Sequence, residues 1–154
     1  MSDADVVQTP LAAAAPTRVT VVSTTPAARS GARWFWWIAG LSLVNIVLAQ
    51  SGSDTNFVIG LGITAVSDAI FSSAKAVGFT IDAIALGFFF LMGRLAQRGT
   101  LWPFFLGAAV YLLDALIYVM VKEWMPVAFH ALALFFILNG AMSLRAALRS
   151  AGVR

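Results

Sequence analysis

The sequence predicts an all-α integral membrane four-helix bundle with both termini in the cytoplasm. It adds a short amphipathic helix, outer-face or re-entrant, between the first and second spans. Three observations carry this. First, 60% of the 154 residues are hydrophobic and only 11% are charged, against about 45–50% and about 25% in a soluble domain. Second, the mean hydropathy is +0.88, and the apolar residues fall in four long runs rather than in short alternating ones. Third, the arginines gather on one set of flanks. A soluble globule, a disordered chain and a coiled coil are excluded together.

The chain opens acidic, with Asp3 and Asp5, and continues in Ala, Pro, Thr and Ser with Pro10, Pro16 and Pro26. This composition lacks helical periodicity and bulky apolar residues, so residues 1–32 are expected as a flexible cytoplasmic tail. A cleaved signal peptide is not expected, because the start is acidic and no apolar core precedes the small-residue run.

The transmembrane domain is expected over residues 33–149, with spans at about 34–50, 76–97, 101–121 and 127–148. Each comes near the ~20 apolar residues an α-helix needs to cross a hydrocarbon layer of roughly 30 Å. A barrel needs alternating strands of about ten residues, and these continuous runs are not that. Pro103 lies in the opening turn of the third run and Pro126 just before the fourth, both places where a missing N–H costs little. The five tryptophans, Trp34, Trp36, Trp37, Trp102 and Trp124, fall at run boundaries, where indole favours the headgroup level.

Eight of the ten basic residues share one side: Arg18, Arg29 and Arg33 before the first span, Arg94 and Arg98 between the second and third, and Arg145, Arg149 and Arg154 in the last turns and the basic tail 150–154. Lys75 and Lys122 fall on the other. The positive-inside rule puts both termini in the cytoplasm. Read as a fifth span, Phe57–Ser73 would invert everything after it and break this bias. An interfacial helix over about 57–74 is preferred, with Ile59, Ile63, Val66 and Ile70 as one apolar stripe and Thr64, Ser67, Asp68 and Ser72 mostly elsewhere.

Gly60-x-Gly62-x-x-Ala65 imitates a dinucleotide turn, with Asp82 twenty residues beyond Gly62. The context fails, because the expected second strand opens a membrane span. No nucleotide is expected, and the glycines are read as close-packing positions.

Ionisable and amide groups inside apolar spans are costly and face the bundle interior or water. Asn45, Asp82, Asp114 and His130 lie on four different helices, roughly 5–10 Å below the same surface at 1.5 Å per residue. They are expected to form one polar cluster, with Asp68 on the outer segment as its lid. Gly107, Tyr111, Asp114 and Tyr118 share one face of the third span, so two phenols flank the carboxylate. The cluster reads either as helix glue or as a proton or cation site. Asn139 faces away from His130, toward another contact.

Several functions are excluded or unsupported. There is no cysteine and one histidine, so there is no thiolate site, and one chain cannot build a multi-histidine metal centre or bis-histidine haem. No nucleophile elbow is present, and no enzyme activity, cofactor or metal is expected. The arginines form no patch interleaved with aromatics, which argues against nucleic acid and suits anionic lipid. The expected partners are the bilayer and a homo-oligomer or larger membrane complex. Arg over Lys, with abundant Ala, suggests a GC-rich bacterial genome, so the membrane is expected to be a bacterial inner membrane. The sequence reading favours a structural or accessory subunit, with an oligomeric proton- or cation-coupled carrier using Asp82, Asp114 and His130 as the alternative.

Overall fold

The computed structural model describes residues 17–51, 60–71 and 73–152, with only the backbone described at Thr24, Ala49, Asp68 and Ala69. Those residues form six helices and no strand: α1 (Arg18–Thr24), α2 (Pro26–Gln50), α3 (Gly62–Ile70), α4 (Lys75–Gln97), α5 (Trp102–Met120) and α6 (Trp124–Ser150). Four of them, α2, α4, α5 and α6, are long and apolar enough to cross a membrane. The all-α four-helix membrane bundle expected from sequence is the architecture found.

The helices are set by their ends. Pro103 occupies the first turn of α5, where its missing N–H is no loss. Gly99, with φ +82, turns the chain from α4 into α5. Between α5 and α6 that left-handed position falls to Lys122, φ 62. The N–H of Glu123 there donates to Tyr118 O at 2.9 Å and that of Lys122 to Val119 O at 3.1 Å, closing the helix end as a Schellman motif.

Around the bundle the neighbour order is α2, α6, α5, α4, with α2 packed most heavily against α6 and α4. Glycine permits the closest crossing. A Cβ at Gly31 on α2 would lie 2.9 Å from the Cα of Gly140 on α6, so neither backbone could approach as it does with a side chain between them. Gly107 admits the edge of the buried Phe35 ring, which also meets Phe89 and Phe104 at centroid distances of 6.4 and 6.1 Å. Gly140 and Gly107 are thus close-packing positions. Gly40 and Gly87 face open space.

One expectation changes. Residues 18–24 and 26–32, expected as tail, are helical: Thr17 caps α1, its hydroxyl accepting from Thr20 N–H at 3.3 Å, and α2 begins at Pro26. The physical reason is burial. Val21 and Val22 join the core beneath the α4–α5 turn, and a Cβ on Gly99 would strike the Arg18 backbone. The rest of the expected tail, residues 1–16, lies outside the described residues. Phe89 is 2% exposed, because it faces Phe35 and Tyr111 across the bundle.

Helix α3 is re-entrant. Its first residues are held deep in the bundle, where Leu61 N–H donates to Ser42 Oγ at 3.0 Å, about two turns inside the end of α2. It then runs back toward that end, and Ser67 Oγ donates to Gly78 O, one turn into α4, at 3.3 Å. Its orientation reverses that of an amphipathic helix in water. Thr64 and Ser67 are buried, while Ile63 and Ile70 are exposed. In a bilayer the apolar stripe can face lipid, and the polar side must find partners within the protein.

Candidate functional site

The site lies where α3, α5 and α6 meet, toward the end opposite most of the arginines. Its centre is Asp114 on α5, 6% exposed. Gly62 N–H donates to Asp114 Oδ2 at 2.8 Å and Ile63 N–H to Oδ1 at 2.9 Å. These are the first two amides of α3, which have no acceptor within their own helix. The carboxylate therefore caps the re-entrant helix from another helix, at the end where the helix dipole favours negative charge.

Asp114 has a third partner. His130 on α6, wholly buried, brings Nε2 to within 3.0 Å of Oδ2. Its Nδ1 lies 2.8 Å from Pro126 O, one turn earlier on the same helix. A carbonyl can only accept, so Nδ1 carries a proton and donates it to Pro126. One further proton must lie between Nε2 and Oδ2. Whether drawn on the imidazole or on the carboxyl, it leaves the pair neutral overall. This avoids the cost of an isolated buried charge.

Aromatic rings enclose the pair. Tyr111 stacks on the His130 ring with centroids 4.2 Å apart and an interplanar angle of 17°, and Tyr118 lies tilted against the same ring, centroids 5.3 Å apart. The Tyr118 hydroxyl donates to Gly60 O at 3.2 Å, fastening the residue just before the re-entrant turn. The Tyr111 hydroxyl is buried without a hydrogen-bond partner among the described residues.

The glycine pair also has a packing reason. A Cβ at Gly62 would meet Tyr118 Cε2 at 3.0 Å and Ile117 Cβ at 3.3 Å, and one at Gly60 would overlap the Asn45 amide. The dinucleotide-like pattern is thus a close-approach pattern. The helix start that would receive a pyrophosphate in a nucleotide fold instead receives the protein's own carboxylate.

Of the residues grouped from sequence, the structure brings together Asp114, His130, Tyr111 and Tyr118, and places Asn45 against Gly60 beside them. Asp82 is buried on α4 but takes no part in the hydrogen bonds to Asp114, which come from α3 and α6. The side chain of Asp68, expected as a lid, lies outside the described residues. Sequence reasoning missed the amides of Gly62 and Ile63, the Pro126 carbonyl and the Ser42 hydroxyl. The four-residue spacing of Pro126 and His130 was the available signal for the carbonyl. Among the described residues, no group of His, Asp and Glu side chains has the arrangement to hold a metal ion.

Beside the site, an apolar groove of about 530 Å³ runs between α4 and α5, walled by residues such as Ile84, Phe88 and Leu113. Among the described residues, Asp114 is the one ionisable residue lining it. Compared with known families, curated proteins and solved structures, the chain matches none.

Proposed function

We propose that this membrane protein is a structural or accessory subunit of a larger membrane assembly, without enzymatic activity. The observation that supports it is the use made of Asp114. Its carboxylate oxygens are engaged by two backbone amides and a histidine, all internal, in a site packed with aromatic rings. A buried acid spent on fastening a re-entrant segment acts as an interhelical tie. In this reading the protein lies in a bacterial inner membrane with both termini cytoplasmic, because eight of its ten basic residues share that side. It associates with copies of itself or with other membrane subunits, through surfaces on which large apolar side chains such as Ile84, Leu113 and Phe135 are exposed.

One observation favours a second reading, an oligomeric carrier of protons or lipophilic cations: Asp114 lines the groove between α4 and α5. Proteoliposomes decide between the two. Wild-type protein under an imposed pH gradient should show no proton or cation flux above empty vesicles, and mild-detergent extracts should hold it in a larger complex. Flux that Asp114→Asn abolishes, in a variant still eluting and unfolding as wild type, would overturn the structural reading and establish the carrier.

A further inference from the structure

We propose that α2 carries a specific site for the phosphate of an anionic phospholipid headgroup, formed by Arg29 and Arg33. It rests on the membrane-spanning reading but not on the accessory role. Both side chains line a cavity of about 310 Å³ together with Pro26, Ser30, Trp34 and Trp37.

Arg29 and Arg33 are four residues apart on one helix and both exposed. That spacing sets two like charges side by side, an arrangement that weakens a helix unless an anion lies between them. No ion pair engages either among the described residues. The acids whose side chains are described, Asp82, Asp114 and Glu123, all belong to the opposite end of the bundle. At the same end of the bundle there is instead further positive charge, from Arg94 and Arg98 at the end of α4 and Arg145 and Arg149 at the end of α6.

The chemistry of the wall selects the anion. Guanidinium groups engage phosphate oxygens in bidentate fashion, and the Ser30 hydroxyl adds a donor. Trp34 is held in place by stacking on Phe136 of α6, centroids 5.2 Å apart and planes 8° apart. Trp37 lies one turn further along α2 and is 62% exposed. Two guanidinium groups, then two indoles, then an apolar helix follow the order of a phospholipid read from headgroup to acyl chain. A free phosphate would use the arginines alone, whereas a lipid would use the whole face.

The test uses full-length protein, delipidated in a neutral detergent. Short-chain phosphatidylglycerol, short-chain phosphatidylcholine and inorganic phosphate are titrated separately, with intrinsic tryptophan fluorescence as readout. Phosphatidylglycerol should bind saturably and at least about tenfold more tightly than either of the others. Arg29→Gln/Arg33→Gln should lose at least about tenfold of that affinity. Arg145→Gln/Arg149→Gln removes the same charge with the same spacing at the same end, and should lose less than about threefold. Circular dichroism and elution volume check that both variants fold. Equal losses in the two variants would reduce the site to diffuse surface charge and overturn the proposal. Equal affinity for phosphatidylcholine would also overturn it, and inorganic phosphate binding as tightly as the lipid would overturn the assignment to a lipid.

Discussion

Asp114 accepts from two amides of α3 and shares a proton with His130, so truncating it leaves two buried and one part-buried polar group without their partner at once. Asp114→Ala should lower stability in detergent by about 3 kcal/mol. A loss below about 1 kcal/mol in a reversible unfolding assay would show that the re-entrant helix is held by packing instead. The two tyrosines beside it should behave oppositely. Tyr118→Phe removes the hydrogen bond to Gly60 O and should cost about 1 kcal/mol. The Tyr111 hydroxyl has no hydrogen-bond partner among the described residues, so Tyr111→Phe keeps the stack on His130 and should be neutral or mildly stabilising. Comparing the two melting temperatures checks both expectations.

At the scale of elements, glycine on a membrane helix is informative only with its neighbour named. Gly140→Ala places a methyl 2.8 Å from the Gly31 Cα and must push α2 and α6 apart, at a cost of about 1–3 kcal/mol. Gly40→Ala meets nothing within 4 Å and should leave the melting temperature of the monomer unchanged or slightly raised. The α5–α6 turn offers a gain. Lys122 holds a left-handed conformation at φ 62, a place glycine fills without strain. Lys122→Gly should therefore stabilise the protein by about 1 kcal/mol, measured by thermal unfolding. Helix α3 adds that amphipathicity has no fixed meaning without its solvent. The same Ile63 and Ile70 that would seek a core in water are exposed here, and Thr64 and Ser67 are the buried side.

For the whole molecule, the single crossing by α5 places Arg98 and Lys122 at opposite ends of the bundle. The sequence contains no cysteine, so single substitutions report without background. In intact cells, Lys122→Cys should react with a membrane-impermeant maleimide and Arg98→Cys should react only after permeabilisation. The reverse pattern would overturn the cytoplasmic placement of the termini. This placement also governs the proposed lipid site, since an anionic inner leaflet would face Arg29 and Arg33.

The sequence alone determined the four apolar helices long enough to span a membrane, because they follow from hydropathy and length. It also put Tyr111, Asp114 and Tyr118 on one face of α5, since helical periodicity fixes directions within a single helix. Only the tertiary structure decided which faces of different helices meet. It joined Asp114 to His130 and left Asp82 outside that network, because the mutual rotation of packed helices is set by close contacts such as Gly31 on Gly140. It alone revealed the two amides that bind Asp114. Every residue but proline carries such an N–H, and only the fold leaves these two without a helical acceptor and aims them at a carboxylate.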